Sequence, residues 1–154
     1  MRIAMGADHG GFELKEELKK FLKTEGCTEG YEITDFGTNS PESVDYPYLV
    51  FNAAKSVANG ENQVGIFVCG SGIGTSIVAN KVHGVRAALC YNEKIARLSR
   101  EHNNANFLCL GGRFLDKQEA FKIVNVWVKT PFSGGRHERR VAQIKEIEAE
   151  IQKM

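Results

Sequence analysis

Short apolar segments with strand character alternate with amphipathic helical segments along the chain, and this alternation restricts the possible folds most strongly. The strand-like segments cover residues 2–6, 31–36, 64–68, 85–90 and 106–110. Such alternation is typical of a parallel sheet with helices on both faces. Because parallel crossovers are right-handed, the strand order 2-1-3-4-5 is favoured. We therefore predict one α/β domain over residues 1–154, a three-layer α/β/α sandwich with a Rossmann-like five-stranded parallel sheet.

Proline, glycine and capping residues predict where the intervening helices begin and end. Pro47 opens the second helix and Gly60 closes it, and a third helix starts at about Thr75. Asp116 and Glu119 have the spacing of a capping box at the start of a fifth helix. No linker or repeat divides these elements, which agrees with a single domain.

The segment after residues 130–135 has a distinctive helical pattern. A narrow apolar stripe runs along an otherwise charged helix, and its members are Val141, Ile144, Ile147 and Ile151. So thin a stripe suits docking onto a partner subunit better than filling a core. A terminal helix that lies back on its own domain is the alternative, and the pattern leaves both open.

Composition argues against several classes of partner. The formal net charge of +1 gives no reason to expect nucleic acid or a membrane surface as a partner. The N-terminal apolar segment is interrupted at Asp8, which makes it too short for a secretion signal. No apolar run reaches the roughly 20 residues of a membrane span. We expect a cytoplasmic protein that recognises any anion through local groups.

The four cysteines contain no CxxC pair, and we expect free thiols in a reducing compartment. Cys27, Cys90 and Cys109 are interpreted as small core residues. Cys69 differs from them, because it ends a buried strand and is followed by glycines and a helix start. Thiols in such surroundings can act as bases or nucleophiles.

The loop after Cys69 is a candidate anion-binding site. Glycines at every second position allow backbone N–H groups to point at one anion, and the residues concerned are Gly70, Ser71, Gly72, Ile73 and Gly74. The loop is neither a Walker A nor a GxGxxG motif, although a dinucleotide site remains a weak alternative. A phosphatase cradle would need an arginine where Thr75 stands.

Asp8 and His9 follow the first strand, and a switch point between strands one and three would place them beside the Cys69 loop. A carboxylate and an imidazole offer an acceptor and a switchable donor to a polar substrate. Asp8 could instead cap the first helix. Zinc bound by His9, Cys69 and His102 is geometrically conceivable, but no ligand pair has the spacing of a structural zinc site. We expect no metal.

His102 lies between a helix and a strand, at the edge of the sheet opposite to the strand ends. It either complements the dipole of the helix or reaches the crevice of a neighbouring subunit, which predicts a dimer. Arg136 and Arg140 share one face at a helix start, where cations oppose the dipole, so they suit a phosphate. A solvated basic face is the alternative. Arg113, after the last strand, is a third candidate cation.

Motifs in several separate regions closely resemble type B ribose-5-phosphate isomerase, and they cover residues 5–12, 45–47, 69–74, 79–81, 102–103 and 134–137. The match runs from the first strand through the last helix. The resemblance implies interconversion of ribose 5-phosphate and ribulose 5-phosphate without metal, nucleotide or other cofactor. It also implies a homodimer whose sites use both subunits, with further pairing into a tetramer left open.

The resemblance implies a role for each matching residue. The proton-abstracting base of the family falls on Cys69, and the loop amides with Ser71 would hold the enediolate. His102 matches the acid that opens the sugar ring, with Asp8 binding hydroxyls and Asn103 orienting oxygen atoms. The other substrate-binding positions fall on His9, Tyr46, Arg113, Arg136 and Arg140.

Two features bear on the alternatives. Some members of the family place the base on a glutamate at the position of Thr75, whereas this chain has Cys69 and resembles the thiol branch. Ser71 replaces a threonine found in many members. Allose or galactose 6-phosphate is an alternative substrate, and a sugar-phosphate binding module without catalysis is the rival from another class.

Overall fold

The computed structural model describes residues 1–24 and 30–154, so Cys27 lies outside the described residues. Five parallel strands form one sheet: β1 (Arg2–Ala7), β2 (Glu32–Asp35), β3 (Val64–Cys69), β4 (Ala87–Leu89) and β5 (Phe107–Gly111). Each of them lies within or next to a segment predicted from the apolar runs. The parallel α/β architecture is therefore confirmed.

The described residues form six helices: α1 (Phe12–Thr24), α2 (Tyr46–Ala58), α3 (Ile73–Ala79), α4 (Glu93–Asn103), α5 (Lys117–Lys129) and α6 (Arg136–Ile151). One buried cluster packs α1, α4 and α5 against one face of the sheet, and a second cluster packs α2 and α3 against the other face. The three-layer prediction is therefore confirmed. No helix in the described ranges is long and apolar enough to cross a bilayer.

Local signals explain where the helices begin. Pro47 occupies the first turn of α2, where its missing N–H costs nothing. Both bonds of the predicted capping box between Asp116 and Glu119 are present at the start of α5. Helix α3 begins at Ile73, two residues before the predicted start at Thr75, because Gly72 adopts a left-handed conformation that ends the loop there.

The strand order is 2-1-3-5-4, so the predicted order 2-1-3-4-5 is wrong in its last two strands. All five residues of β5 are buried, as a central strand requires, whereas the three residues of β4 are only half-buried and suit an edge. Gly65 of β3 makes room for the Phe107 ring of β5, since a methyl group on this glycine would overlap that ring. The segment after β5 consequently lies beside the segment after β3.

Two other features of the topology bear on function. Strand β1 pairs with both β2 and β3, so the expected switch point lies between β1 and β3. On α6, Val141 is buried against its own domain, while Ile144, Ile147 and Ile151 are exposed. The apolar stripe is therefore only partly covered by the chain itself.

Candidate active site

Three loops converge at the carboxyl edge of the sheet, after β1, β3 and β5. The Gly112 N–H donates to the Cys69 carbonyl at 2.7 Å, and the Arg113 N–H donates to the Gly70 carbonyl at 3.1 Å. A methyl group on Gly10 would lie 3.2 Å from the backbone nitrogen of Gly70, which shows how closely the first loop approaches the second. These contacts make the three loops one surface.

Cys69 ends β3 at the centre of this surface, with only 4% of its area exposed. The Gly72 N–H donates to its Sγ at 3.1 Å. Gly72 has a φ of 80°, and a methyl group on it would lie 2.5 Å from Leu89 Cδ1. Only glycine fits this position, and its N–H places a partial positive charge against the sulfur.

The backbone N–H groups of the loop differ in whether they already have a hydrogen-bond acceptor. The Gly72 N–H is taken by Cys69 Sγ, and the Ile73 N–H donates to Ser71 Oγ at 3.2 Å. Within the described part of the chain, the N–H groups of Gly70 and Ser71 donate to no backbone carbonyl. An anion in the loop therefore meets fewer open donors than the glycine spacing predicts.

A tyrosine that the sequence does not single out holds this loop in place. The Tyr91 hydroxyl, just after β4, donates to the Ser71 carbonyl at 2.6 Å. Tyr91 is 42% exposed, so its exposure alone does not distinguish it from an ordinary surface tyrosine. Its role depends on the strand order, which brings the end of β4 within reach of the loop after β3 across β5.

Asp8 is buried, and its Oδ1 accepts the N–H groups of Gly10 at 2.9 Å and Gly11 at 3.2 Å. These two bonds close the turn at residues 9–11, which leads into α1 at Phe12. His9 Nδ1 accepts the Val44 N–H at 3.2 Å, which leaves the proton on Nε2, where it can be donated to a ligand.

Tyr46 and Arg113 border the glycine loop. A methyl group on Gly74 would overlap the Tyr46 hydroxyl, so the tyrosine packs directly on this glycine. Arg113 covers Gly70, since a methyl group there would lie 3.2 Å from Arg113 Nη1. The arginine is exposed and free to contact an anion above the loop.

The remaining predicted residues form a second group at the amino edge of the sheet, and its members are His102, Asn103, Arg136 and Arg140. His102 lies in the last turn of α4, and its ring stacks on His137 with centroids 4.1 Å apart and planes 13° apart. Burial lowers the pKa of His137, and the nearby charges of His102, Arg136 and Arg140 lower it further. The positive charge of this group therefore comes from its two arginines.

The fold of the chain does not bring the two groups together. Cys69 pairs with Gly111 at the carboxyl end of β5, whereas His102 precedes the amino end of the same strand. A five-residue strand is about 16 Å long. The expectation that His102 faces away from its own crevice agrees with this topology.

The other described cysteines differ from Cys69 in their surroundings. Cys69, Cys90 and Cys109 are all free thiols, as predicted. Burial raises the pKa of Cys90 to about 11, and it raises the pKa of Cys109 well above its ordinary value. Both stay protonated at neutral pH, as expected of core residues. Residues 1–24 and 30–154 contain no cluster of His, Cys, Asp or Glu that could hold a metal ion.

A family model described as Ribose/Galactose Isomerase matches residues 3–144. The chain belongs to the ribose/galactose isomerase family. Ribose-5-phosphate isomerase B from Escherichia coli is 44% identical over 147 residues, which are 96% of each chain. Relatives of this kind place the present chain in the type B group. It is an aldose–ketose isomerase.

Solved structures of the same group agree with the fold of this isomerase. Ribose-5-phosphate isomerase B from Clostridium thermocellum has a TM-score of 0.93 at 51% identity, covering 98% of this chain and 99% of that one. The Mycoplasma genitalium enzyme, solved with bound ribulose 5-phosphate, has a TM-score of 0.90 at 42% identity, with 97% of each chain covered.

Proposed function

We propose that this enzyme interconverts ribose 5-phosphate and ribulose 5-phosphate, with Cys69 as the base. The observation that carries the proposal is the Gly72 N–H aimed at Cys69 Sγ at 3.1 Å, at the floor of the three converging loops. A donor directed at sulfur stabilises negative charge there. The thiolate removes the proton from C2 of the open-chain aldose and returns it to C1, while a proton moves from the O2 to the O1 side of the enediolate.

The enediolate needs donors that are not already occupied. The N–H groups of Gly70 and Ser71 serve this purpose, since they donate to no backbone carbonyl in the described residues. Donors held in place before the reaction stabilise a developing oxyanion by several kcal/mol. Asp8, whose Oδ1 is occupied by two N–H groups, binds sugar hydroxyls through the rest of its carboxylate.

Two subunits would complete the site. We propose a homodimer in which His102 opens the sugar ring at the crevice of its partner, with Asn103 beside it. Arg136 and Arg140 hold the phosphate together with His9. The exposed isoleucines of α6 offer the apolar surface for this pairing. The need for a free thiol favours a reducing compartment, and we place the enzyme in the cytoplasm.

The deciding experiment combines turnover and binding of ribose 5-phosphate in Cys69→Ala, with Cys90→Ala as the matched control at another buried thiol. We expect Cys69→Ala to lose turnover and still bind the sugar phosphate, because the loop amides and arginines remain. Cys90→Ala should keep near-normal turnover. Near-normal turnover by Cys69→Ala would overturn the mechanism. Wild-type assays with allose and galactose 6-phosphate beside ribose 5-phosphate test the choice of sugar.

A further inference from the structure

A fully buried ammonium group lies beside the active-site loops, on α1. Lys15 is 0% exposed, and its Nζ donates to both carboxylate oxygens of Asp35 at 2.9 Å and to the Thr38 carbonyl at 2.6 Å. Glu16 adds a carboxylate oxygen at 3.5 Å. All three protons of the ammonium therefore have acceptors, which is what its burial requires.

The segment that Lys15 binds is attached directly to the residue before Asp8. The Thr38 N–H donates to the Ala7 carbonyl at 2.5 Å, and the Ala7 N–H donates to the Gly37 carbonyl at 2.5 Å. The Gly37 N–H in turn donates to Asp35 Oδ1 at 2.9 Å. Lys15 and Asp35 thus fix residues 37 and 38 against the end of β1.

The same segment reaches the site a second time, through His9. Val44, six residues after Thr38, donates its N–H to His9 Nδ1 at 3.2 Å. This bond sets the direction of the His9 ring and of its Nε2 proton. The geometry of both Asp8 and His9 therefore depends on where residues 37–44 are held.

The two partners of the ion pair differ in burial, because Lys15 is fully buried whereas the Asp35 side chain keeps 22% of its area exposed. Burial alone would raise the pKa of Asp35, but hydrogen bonds from Lys19, Lys15 and the Gly37 N–H bring it below its ordinary value. Such a pair contributes little net stability in general, because removing the Lys15 charge from water is costly and a partly exposed carboxylate is screened by solvent. A role in geometry explains its presence better than a role in stability.

We propose that Lys15 is a positioning residue, which holds residues 37 and 38 against Ala7 and so keeps Asp8 and His9 in place for the sugar phosphate. This inference rests on the proposed function, since it concerns the same substrate. The glycine loop with Cys69 is held by other contacts, from Tyr91, Gly112 and Arg113. Loss of the Lys15 ammonium should therefore weaken substrate binding without altering the thiol.

The test compares Lys15→Met with Lys19→Met. Lys19 is the matched control, since its Nζ also donates to Asp35, at 2.6 Å, but it makes no bond to Thr38. We expect Lys15→Met to raise the KM for ribose 5-phosphate about 10- to 100-fold, as small displacements of binding groups do. Lys19→Met should change KM by less than about twofold, as expected for a partly exposed pair.

Two further measurements separate positioning from a general loss of structure. The rate of Cys69 alkylation by iodoacetamide, followed by mass spectrometry of its peptide, should match the wild-type rate in Lys15→Met. If Lys15→Met does not fold, the variant Lys15→Met/Asp35→Asn removes both charges and keeps an oxygen acceptor for the Gly37 N–H. It should show the same rise in KM.

An unchanged KM in the folded variant, with only a lower melting temperature, would overturn the positioning role. A wild-type enzyme that does not turn over ribose 5-phosphate would instead overturn the proposed function, and this is measured before any variant is made. The two failures are therefore distinct.

Discussion

Cys69 and His102 lie at opposite ends of strand β5. Cys69 is paired with Gly111, the last residue of that strand, and His102 lies in the turn of α4 that precedes its start. A base and an acid separated by the length of a strand cannot act on one five-carbon sugar. The proposed mechanism therefore requires that each site take His102 from a second subunit.

This requirement predicts complementation between two inactive variants. Mixing Cys69→Ala with His102→Ala subunits, after subunit exchange, should restore about a quarter of wild-type activity, because half of the dimers are mixed and each has one intact site. Steady-state assays of the mixture and of each variant alone provide the measurement. Lack of recovery, with exchange proven by mass spectrometry, would contradict the shared site.

Tyr91 is expected to control catalysis through the glycine loop. Removing its hydroxyl in Tyr91→Phe breaks the bond to the Ser71 carbonyl, which is worth about 1 kcal/mol. We expect kcat to fall about fivefold with little change in KM, since in the proposed mechanism the loop amides contact the reacting atoms and not the phosphate. Tyr48→Phe, at a tyrosine 79% exposed on α2, is the control and should match wild type. Equal kinetics for both variants would exclude the role of Tyr91.

His137 should report on phosphate binding. Its pKa is lowered by burial and by the neighbouring cations, so its NMR titration should fall below the ordinary value of 6.5 in the free enzyme. A phosphate dianion held by Arg136 and Arg140 would oppose those cations, and saturating ribose 5-phosphate should shift the titration upward. An unchanged titration would place the phosphate elsewhere.

The lowered pKa of His137 also has a consequence for folding. The unfolded chain binds the proton more readily than the folded chain, so this residue makes the protein less stable as pH falls from 6.5 through the folded pKa.

Gly72 is expected to be intolerant of substitution because of its surroundings and not only because of its backbone. Gly60 has the same φ of 80°, yet a methyl group on it would meet nothing within 4 Å. Gly72→Ala would place its methyl against Leu89 and Leu110, so it should destabilise the protein by about 1 to 3 kcal/mol more than Gly60→Ala does. Urea unfolding of both variants measures the difference, and equal midpoints would contradict it.

Much of the architecture follows from local pattern. The apolar runs locate all five strands, and Asp116 with Glu119 marks a helix start that needs no tertiary information. The order of the last two strands does not follow from this pattern, because residues 85–90 and residues 106–110 are both apolar. Which of them is central depends on whether both of its faces are covered, and that is decided by packing with distant helices.

The predicted site divides in a similar way. The sequence predicts Cys69 and Asp8 as site residues because the end of a strand is a local feature, and the pairing of β1 with β3 brings their loops together. Lys15 has no such signal, since a lysine in an amphipathic helix normally faces water. Lys15 is buried because the fold brings Asp35 and Thr38, which lie 20 and 23 residues later in the chain, into contact with its ammonium group.

The insertion of β5 between β3 and β4 has a consequence for synthesis. Until residues 107–111 leave the ribosome, β3 has one unpaired edge, and β4 has no neighbour to join. The carbonyls of Cys69 and Gly70 likewise lack their donors until Gly112 and Arg113 emerge. The nascent chain thus exposes an unpaired strand edge while roughly a quarter of its length is translated, and a chaperone that shields strands would act on it during that interval.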